Sequence, residues 1–274
     1  VRERLLMASL NRNQSGEAET LSLIQEVIRL RNRRAQLFGE PSHAAWQMYD
    51  RMVSDPAQAI GFMTDMVPAL RATQEREAAV LQARIEADGH DFTLAPWDWQ
   101  YYAEKVRQER YALDNEEIKQ YFVVDRVLED GVFYMAEQLY GLTFEKRDDI
   151  PTYHPDVSVY NVYHDGEPIA LFYFDPFSRD SKRGGAWMSN FIEQSHLLGL
   201  RPVVTNTQNV APPAPGEPAL ATWDDVETMF HEFGHALHGM LSDVTYPSVS
   251  GTAVSRDFVE LPSQLYEHWL TVPE

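Results

Sequence analysis

Five consecutive residues, His231-Glu232-Phe233-Gly234-His235, carry the pattern HExxH. Two imidazoles four positions apart share one face of a helix. Both can therefore reach a single zinc ion at about 2.0–2.1 Å, with the intervening glutamate beside a water at that ion. Such a set supports metal-assisted hydrolysis. The flanks supply the helix. Thr222 reads as its N-cap, with Asp224, Asp225 and Glu227 in the first turn, where carboxylates favour the positive end of the helix dipole. The run extends to Leu241, and Met229, Phe230, Phe233, Ala236 and Leu237 give it a side to bury.

Two histidines leave zinc short of a ligand. The metzincin layout wants Gly and His where this chain has His238 and Leu241, so it fails. A gluzincin layout wants a carboxylate on a later helix, and Asp243, Asp257, Glu260, Glu267 and Glu274 all lie downstream. Asp243 follows too closely to fold back. Glu260 and Glu267 fall on an expected second helix, residues 257–270, after a chain-reversing loop at 246–251, and Pro262 complicates where that helix starts. Spacing alone does not choose between them.

The rest of the chain must hold these groups in place. Residues 1–148 read as a helical scaffold. Apolar residues recur at spacings of three and four in Leu21–Leu37 and in residues 57–87 around Pro68, with breaks at Gly39, Gly89 and Gly131. The aromatic-dense stretch APWDWQYY (residues 95–102) reads as core, and residues 116–144 as mainly helical with an interruption near Gly131. From Pro151 the period changes. VSVYNVY (157–163) and IALFYF (169–174) predict a β-hairpin, RPVVTNTQNV (201–210) a further strand, and APPAPGEP (211–218) a loop. The expected fold is mainly α with a small β-sheet, one continuous domain whose residues 149–274 hold the catalytic region.

Composition narrows the function. With 42 acidic against 23 basic residues, the formal charge is −19, which disfavours nucleic acid and anionic membrane as partners. No cysteine is present, which removes disulfides, thiolate nucleophiles and Cys-ligated metals. No run reaches the ~20 apolar residues of a membrane span. The chain opens on Val1 and stops at Glu274 after a run that reads as helical, so an internal portion of a longer polypeptide is expected.

HEFGHALH (231–238), SGTAVSRD (250–257), DFVELPSQ (257–264) and GGAWM (184–188) closely resemble the thimet-oligopeptidase-like family of zinc metallopeptidases, nearest its bacterial peptidyl-dipeptidase branch. YHPDV (153–157), RDSKRGGAWMSNFIE (179–193), GEPALATWDD (216–225) and RDFVELPSQLYEHW (256–269) support the same likeness. It runs through essentially the whole chain, although a complete member is more than twice as long. The resemblance implies a gluzincin-type zincin, incomplete at both ends. In it His231, His235 and Glu260 bind one Zn2+ and Glu232 is the general base. Asp257 or Gln264 is expected to orient a ligand, and His238 to be a packed histidine.

The implied activity is hydrolysis of short unstructured peptides, with release of C-terminal dipeptides. Endo-acting cleavage is the alternative within the family, and a catalytically dead peptide-binding scaffold the alternative outside it. Gly185 and Ala186 read either as part of an edge strand that pairs with a peptide or as a tight turn feeding Trp187. Arg183, beside Arg179 and Lys182, reads as a receiver for a substrate carboxylate or as a solvated loop charge. The tyrosines that the family uses against the oxyanion lie beyond the matched region, and Tyr246 and Tyr266 read as loop and packing residues. The 274-residue chain alone is therefore expected to bind zinc weakly or not at all and to be nearly inactive. The cytoplasm is the expected compartment, and the acidic composition suits the periplasm equally.

Overall fold

A computed structural model describes all residues except 15, 17–19, 113–114 and 273–274. By its contacts the chain divides into two units, Val1–Asp114 and Asn115–Glu274. The first is helical: α1 (Arg2–Leu10), α2 (Leu21–Leu37), α3 (His43–Met48), α4 (Pro56–Ala87) and α5 (Trp99–Tyr111). Helix α4 starts where the sequence asks it to. The Asp55 side chain accepts the Ala57 N–H at 2.9 Å, Pro56 occupies the first turn, and Gly89 at φ +78° follows the last one. The aromatic stretch is core as expected: Tyr102 is 1% exposed and packs with Leu81 and Ile85. Buried Asp98 is met by the Arg2 Nε at 2.7 Å.

The second unit begins with α6 (Asn115–Lys119) and a continuous helical run made of α7 (Val124–Arg126), a π-helical segment (Val127–Phe133) and α8 (Tyr134–Tyr140). Two sequence expectations change here. Gly131 does not interrupt the helix, because the wider π turn carries the chain through it. The helix also does not reach Phe144. Gly141, at φ +68°, ends it, and residues 142–146 form strand β1 (Leu142–Lys146).

The hairpin is β2 (Ser158–His164) and β3 (Glu167–Phe177), joined by Asp165 and Gly166 at φ +50° and +79°, a two-residue turn that needs both in the left-handed region. With β4 (Trp187–Ile192) and β5 (Val203–Val210) they make a mixed sheet in the order β1-β2-β3-β5-β4. Only β3 and β5 run parallel, and β4 forms one edge. Helix α9 (Trp223–Met240) packs on this sheet and pairs with α10 (Glu260–Glu267). At the centre, the ring of fully buried Phe233 lies 5.7, 5.9 and 5.2 Å from those of Phe133, Phe144 and Phe172. No described helix is long and apolar enough to cross a membrane.

Candidate metal centre

Helix α9 is fixed before it carries any chemistry. Thr222 caps it in both directions: the Asp225 N–H donates to Thr222 Oγ1 at 3.1 Å, and the Thr222 N–H donates to Asp225 Oδ2 at 2.8 Å. Val226, Met229, Phe230, Phe233, Ala236, Leu237 and Met240 are buried, which turns His231 and His235 toward the more open side.

Helix α10 starts at Glu260 rather than at 257, with Pro262 in its first turn, where a missing N–H is tolerated. It can approach α9 closely only because of Gly234. A Cβ there would stand 2.6 Å from the Ser263 Cα and 2.8 Å from the Pro262 carbonyl oxygen. Tyr266, 2% exposed, ties α10 down by donating to the Val132 carbonyl at 2.8 Å. It is thus a packing tyrosine, and Tyr246 is an exposed loop residue.

Across this contact, one oxygen of Glu260 lies 3.3 Å from His231 Nε2 and 3.0 Å from His235 Nε2, while the two rings stand 4.9 Å apart and nearly perpendicular. The three ligand atoms lie within 4.8 Å of one another. A four-coordinate zinc at about 2.0–2.1 Å sets its ligand atoms roughly 3.3 Å apart, so this donor set fits the ion. Ser263 steadies the carboxylate, its hydroxyl donating to Glu260 Oε2 at 3.0 Å. Burial pushes the Glu260 carboxyl up, but Ser263 and the two imidazoles outweigh it and hold the pKa below the ordinary value.

Glu232 is 6% exposed, and its Oε2 has no hydrogen-bond partner in the structure. Desolvation raises its pKa to about 7, Glu260 adds to the rise, and His231 and the Met188 amide pull the other way. A carboxyl poised near neutrality can both take and return a proton.

The other candidates fall elsewhere. Asp243 pairs with His196 at 2.5 Å on the surface, and Glu274 lies outside the described residues. His238 is not among the converging donors; its ring faces Phe258 at 6.4 Å, and burial lowers its pKa. Gln264 is exposed and makes no hydrogen bond to either histidine, and Asp257 is exposed. Glu267 meets His231 from the other side of its ring, its Oε1 lying 2.5 Å from His231 Nδ1. The sequence signal for it was its position two helical turns beyond Glu260.

A cleft of about 470 Å³ opens over the site, with Arg183, Ala186 and Met188 on one wall and Arg256 and Glu260 on another. Gly185, at φ +88°, belongs to the bend before β4 rather than to the strand, and the Asn209 amide donates to its carbonyl at 2.6 Å. The basic cluster splits. Arg179 and Lys182 are engaged by buried Asp175, whereas Arg183 stacks 4.7 Å over Trp187 at the cleft. Arg256, which sequence reasoning did not single out, joins it there.

The chain is 48% identical, over 99% of its length, to the dipeptidyl carboxypeptidase of Salmonella typhimurium, and 48% over 100% to that of Escherichia coli. It is 37% identical over 95% to the oligopeptidase A of Escherichia coli. It spans about 40% of the length of these relatives. The profile of peptidase family M3 matches residues 1–274, and the chain belongs to that family.

Proposed function

We propose that the protein is a zinc peptidase of gluzincin layout that releases dipeptides from the C-termini of short unstructured peptides. The observation that carries this reading is the convergence of His231, His235 and Glu260 beside buried Glu232. The exo-acting form draws on the higher identity to the dipeptidyl carboxypeptidases than to oligopeptidase A.

The two imidazoles and the Glu260 carboxylate would hold the ion, which when bound supplies Lewis acidity toward a carbonyl oxygen and toward water. Glu232 takes a proton from the attacking water as the C–O bond forms, then delivers it to the leaving amine as the C–N bond breaks. The outer edge of β4 offers backbone groups to an extended peptide, with Ala186, the residue before the strand, at the mouth of the cleft. Arg183, held by Trp187, receives the substrate's terminal carboxylate. The sequence alone leads to an expectation of weak or no zinc binding by the 274-residue chain; because all three donors come from α9 and α10, we instead expect it to bind zinc, while efficient turnover is still not expected of it.

The test uses the polypeptide that carries this chain, loaded with zinc, and mass spectrometry of one peptide as its free acid and as its amide. Dipeptides from the acid alone support the proposal, and internal cuts in both forms support the endo-acting alternative. Glu232→Gln should keep zinc and lower kcat by about 10²–10⁴. Unchanged turnover in that variant would refute the role of Glu232. Arg183→Ala should raise KM for the acid only.

A further inference from the structure

The two ligand histidines are not held alike. His235 Nδ1 is buried with no hydrogen-bond partner, whereas His231 Nδ1 meets Glu267 Oε1 at 2.5 Å. We propose that Glu267 is a positioning residue that fixes the proton of His231 on Nδ1 and so presents the Nε2 lone pair to zinc; this rests on the zinc-peptidase reading above.

In water an imidazole prefers its proton on Nε2, the atom that must be bare to bind the ion. A carboxylate on Nδ1 reverses that preference and makes the ring more basic toward a metal. The geometry gives Glu267 this task and no other evident one. It stands two turns from Glu260 on the same face of α10, so a single helix carries both the ligand carboxylate and the orienting carboxylate. That helix is pinned by the Tyr266 hydroxyl on Val132 and by the close approach at Gly234, which sets both carboxylates against α9 together. Ser263, between them in sequence, donates its hydroxyl to Glu260 Oε2.

Zinc affinity of the 274-residue chain, measured by chelator competition, and the ¹⁵N shifts of its histidines without metal test the proposal. Glu267→Ala should weaken zinc binding by about 10–100-fold and move His231, but not His235, toward the Nε2-protonated tautomer. Glu267→Gln keeps an acceptor and the shape but not the charge. It should preserve the tautomer and lose less affinity, which remains readable if the alanine variant folds poorly. Parental zinc affinity with an unmoved His231 tautomer in both variants would overturn the role of Glu267 alone. A parent chain that takes no zinc would overturn the metal reading and this inference with it.

Discussion

The two units treat their apolar residues differently. In the first, α2 and α4 leave Leu23, Ile28, Phe62 and Leu70 between 60% and 70% exposed, and the buried cluster is Leu81, Ile85 and Tyr102. In the second, a continuous core runs from Val124 through the sheet and α9 to Tyr266. A metal site needs donors fixed to a fraction of an ångström, and the converging His231, His235 and Glu260 stand on the two helices that this core immobilises. The sharpest way to break the contrast is one substitution in each unit. Phe233→Ala should cost about 3–5 kcal/mol through the cavity it leaves among three rings. Phe62→Ala, at an exposed site, should stay within about 0.5 kcal/mol. Urea unfolding of both variants reads this, and similar midpoints for the two would deny that the second unit holds the rigid core.

Charge gives a second contrast. In the second unit Asp175, 1% exposed, accepts two bonds from Arg179 at 2.7 and 2.8 Å and one from the Tyr153 hydroxyl at 3.1 Å, with Lys182 Nζ 2.8 Å away. Burial pushes its carboxyl up, but the two cations outweigh it and hold the pKa below the ordinary value. A carboxyl lowered on folding adds stability above its unfolded pKa of about 3.9, and that contribution is lost as pH falls through the lower folded value. Asp175→Asn should therefore flatten the acid limb of the stability curve and, by leaving two cations unpaired, cost about 3 kcal/mol at neutral pH. In the first unit Asp88 is lowered in the same direction by Lys105, in a more open setting, and Asp88→Asn should change the acid limb less.

Glycines make the third. Gly61 and Gly234 both sit inside helices, yet an added Cβ meets nothing within 4 Å at Gly61 and backbone atoms at 2.6 and 2.8 Å at Gly234. Gly61→Ala should stabilise by about 0.5–1 kcal/mol, since only helix propensity changes. Gly234→Ala should destabilise by about 1–3 kcal/mol and weaken zinc binding as α10 moves away. If Gly234→Ala kept parental zinc affinity, the close helix contact would not be what brings Glu260 to the histidines.

Much of this was legible from residue order. HExxH, the Thr222 cap and the hairpin around Gly166 are local patterns, and each fell within three residues of its expected place. What escaped needed the third dimension. Strand β1 was hidden because LTFEK is short and follows a helix without a proline, so only Gly141 in the left-handed region marks the change. Glu267 was weighed as a ligand and set aside, and its contact with the far nitrogen of His231 depends on how closely α10 lies against α9, which spacing along the chain does not encode. The fate of the basic cluster turned on Asp175, whose burial on β3 no charge count reveals.

The smallest contrast concerns helix starts. Thr222 and Ser42 each accept an N–H three residues on, from Asp225 at 3.1 Å and Ala45 at 3.2 Å, so their backbone caps are alike, although the Thr222 hydroxyl also donates to Asp225 Oδ2 at 2.6 Å. The helices differ. α9 spans 18 residues with its first turn tied to the core through Val226, whereas α3 spans six residues and buries none. A frayed turn in α9 must pull on that core, so Thr222→Ala should lower global stability by about 1 kcal/mol. In α3 the same loss can be absorbed by local opening, so Ser42→Ala should barely move the unfolding midpoint while speeding hydrogen exchange at the Ala45 amide. Equal midpoint shifts would mean that the short helix is as tightly coupled to its unit as α9 is to its own, and the difference in core continuity would then not translate into a difference in local rigidity.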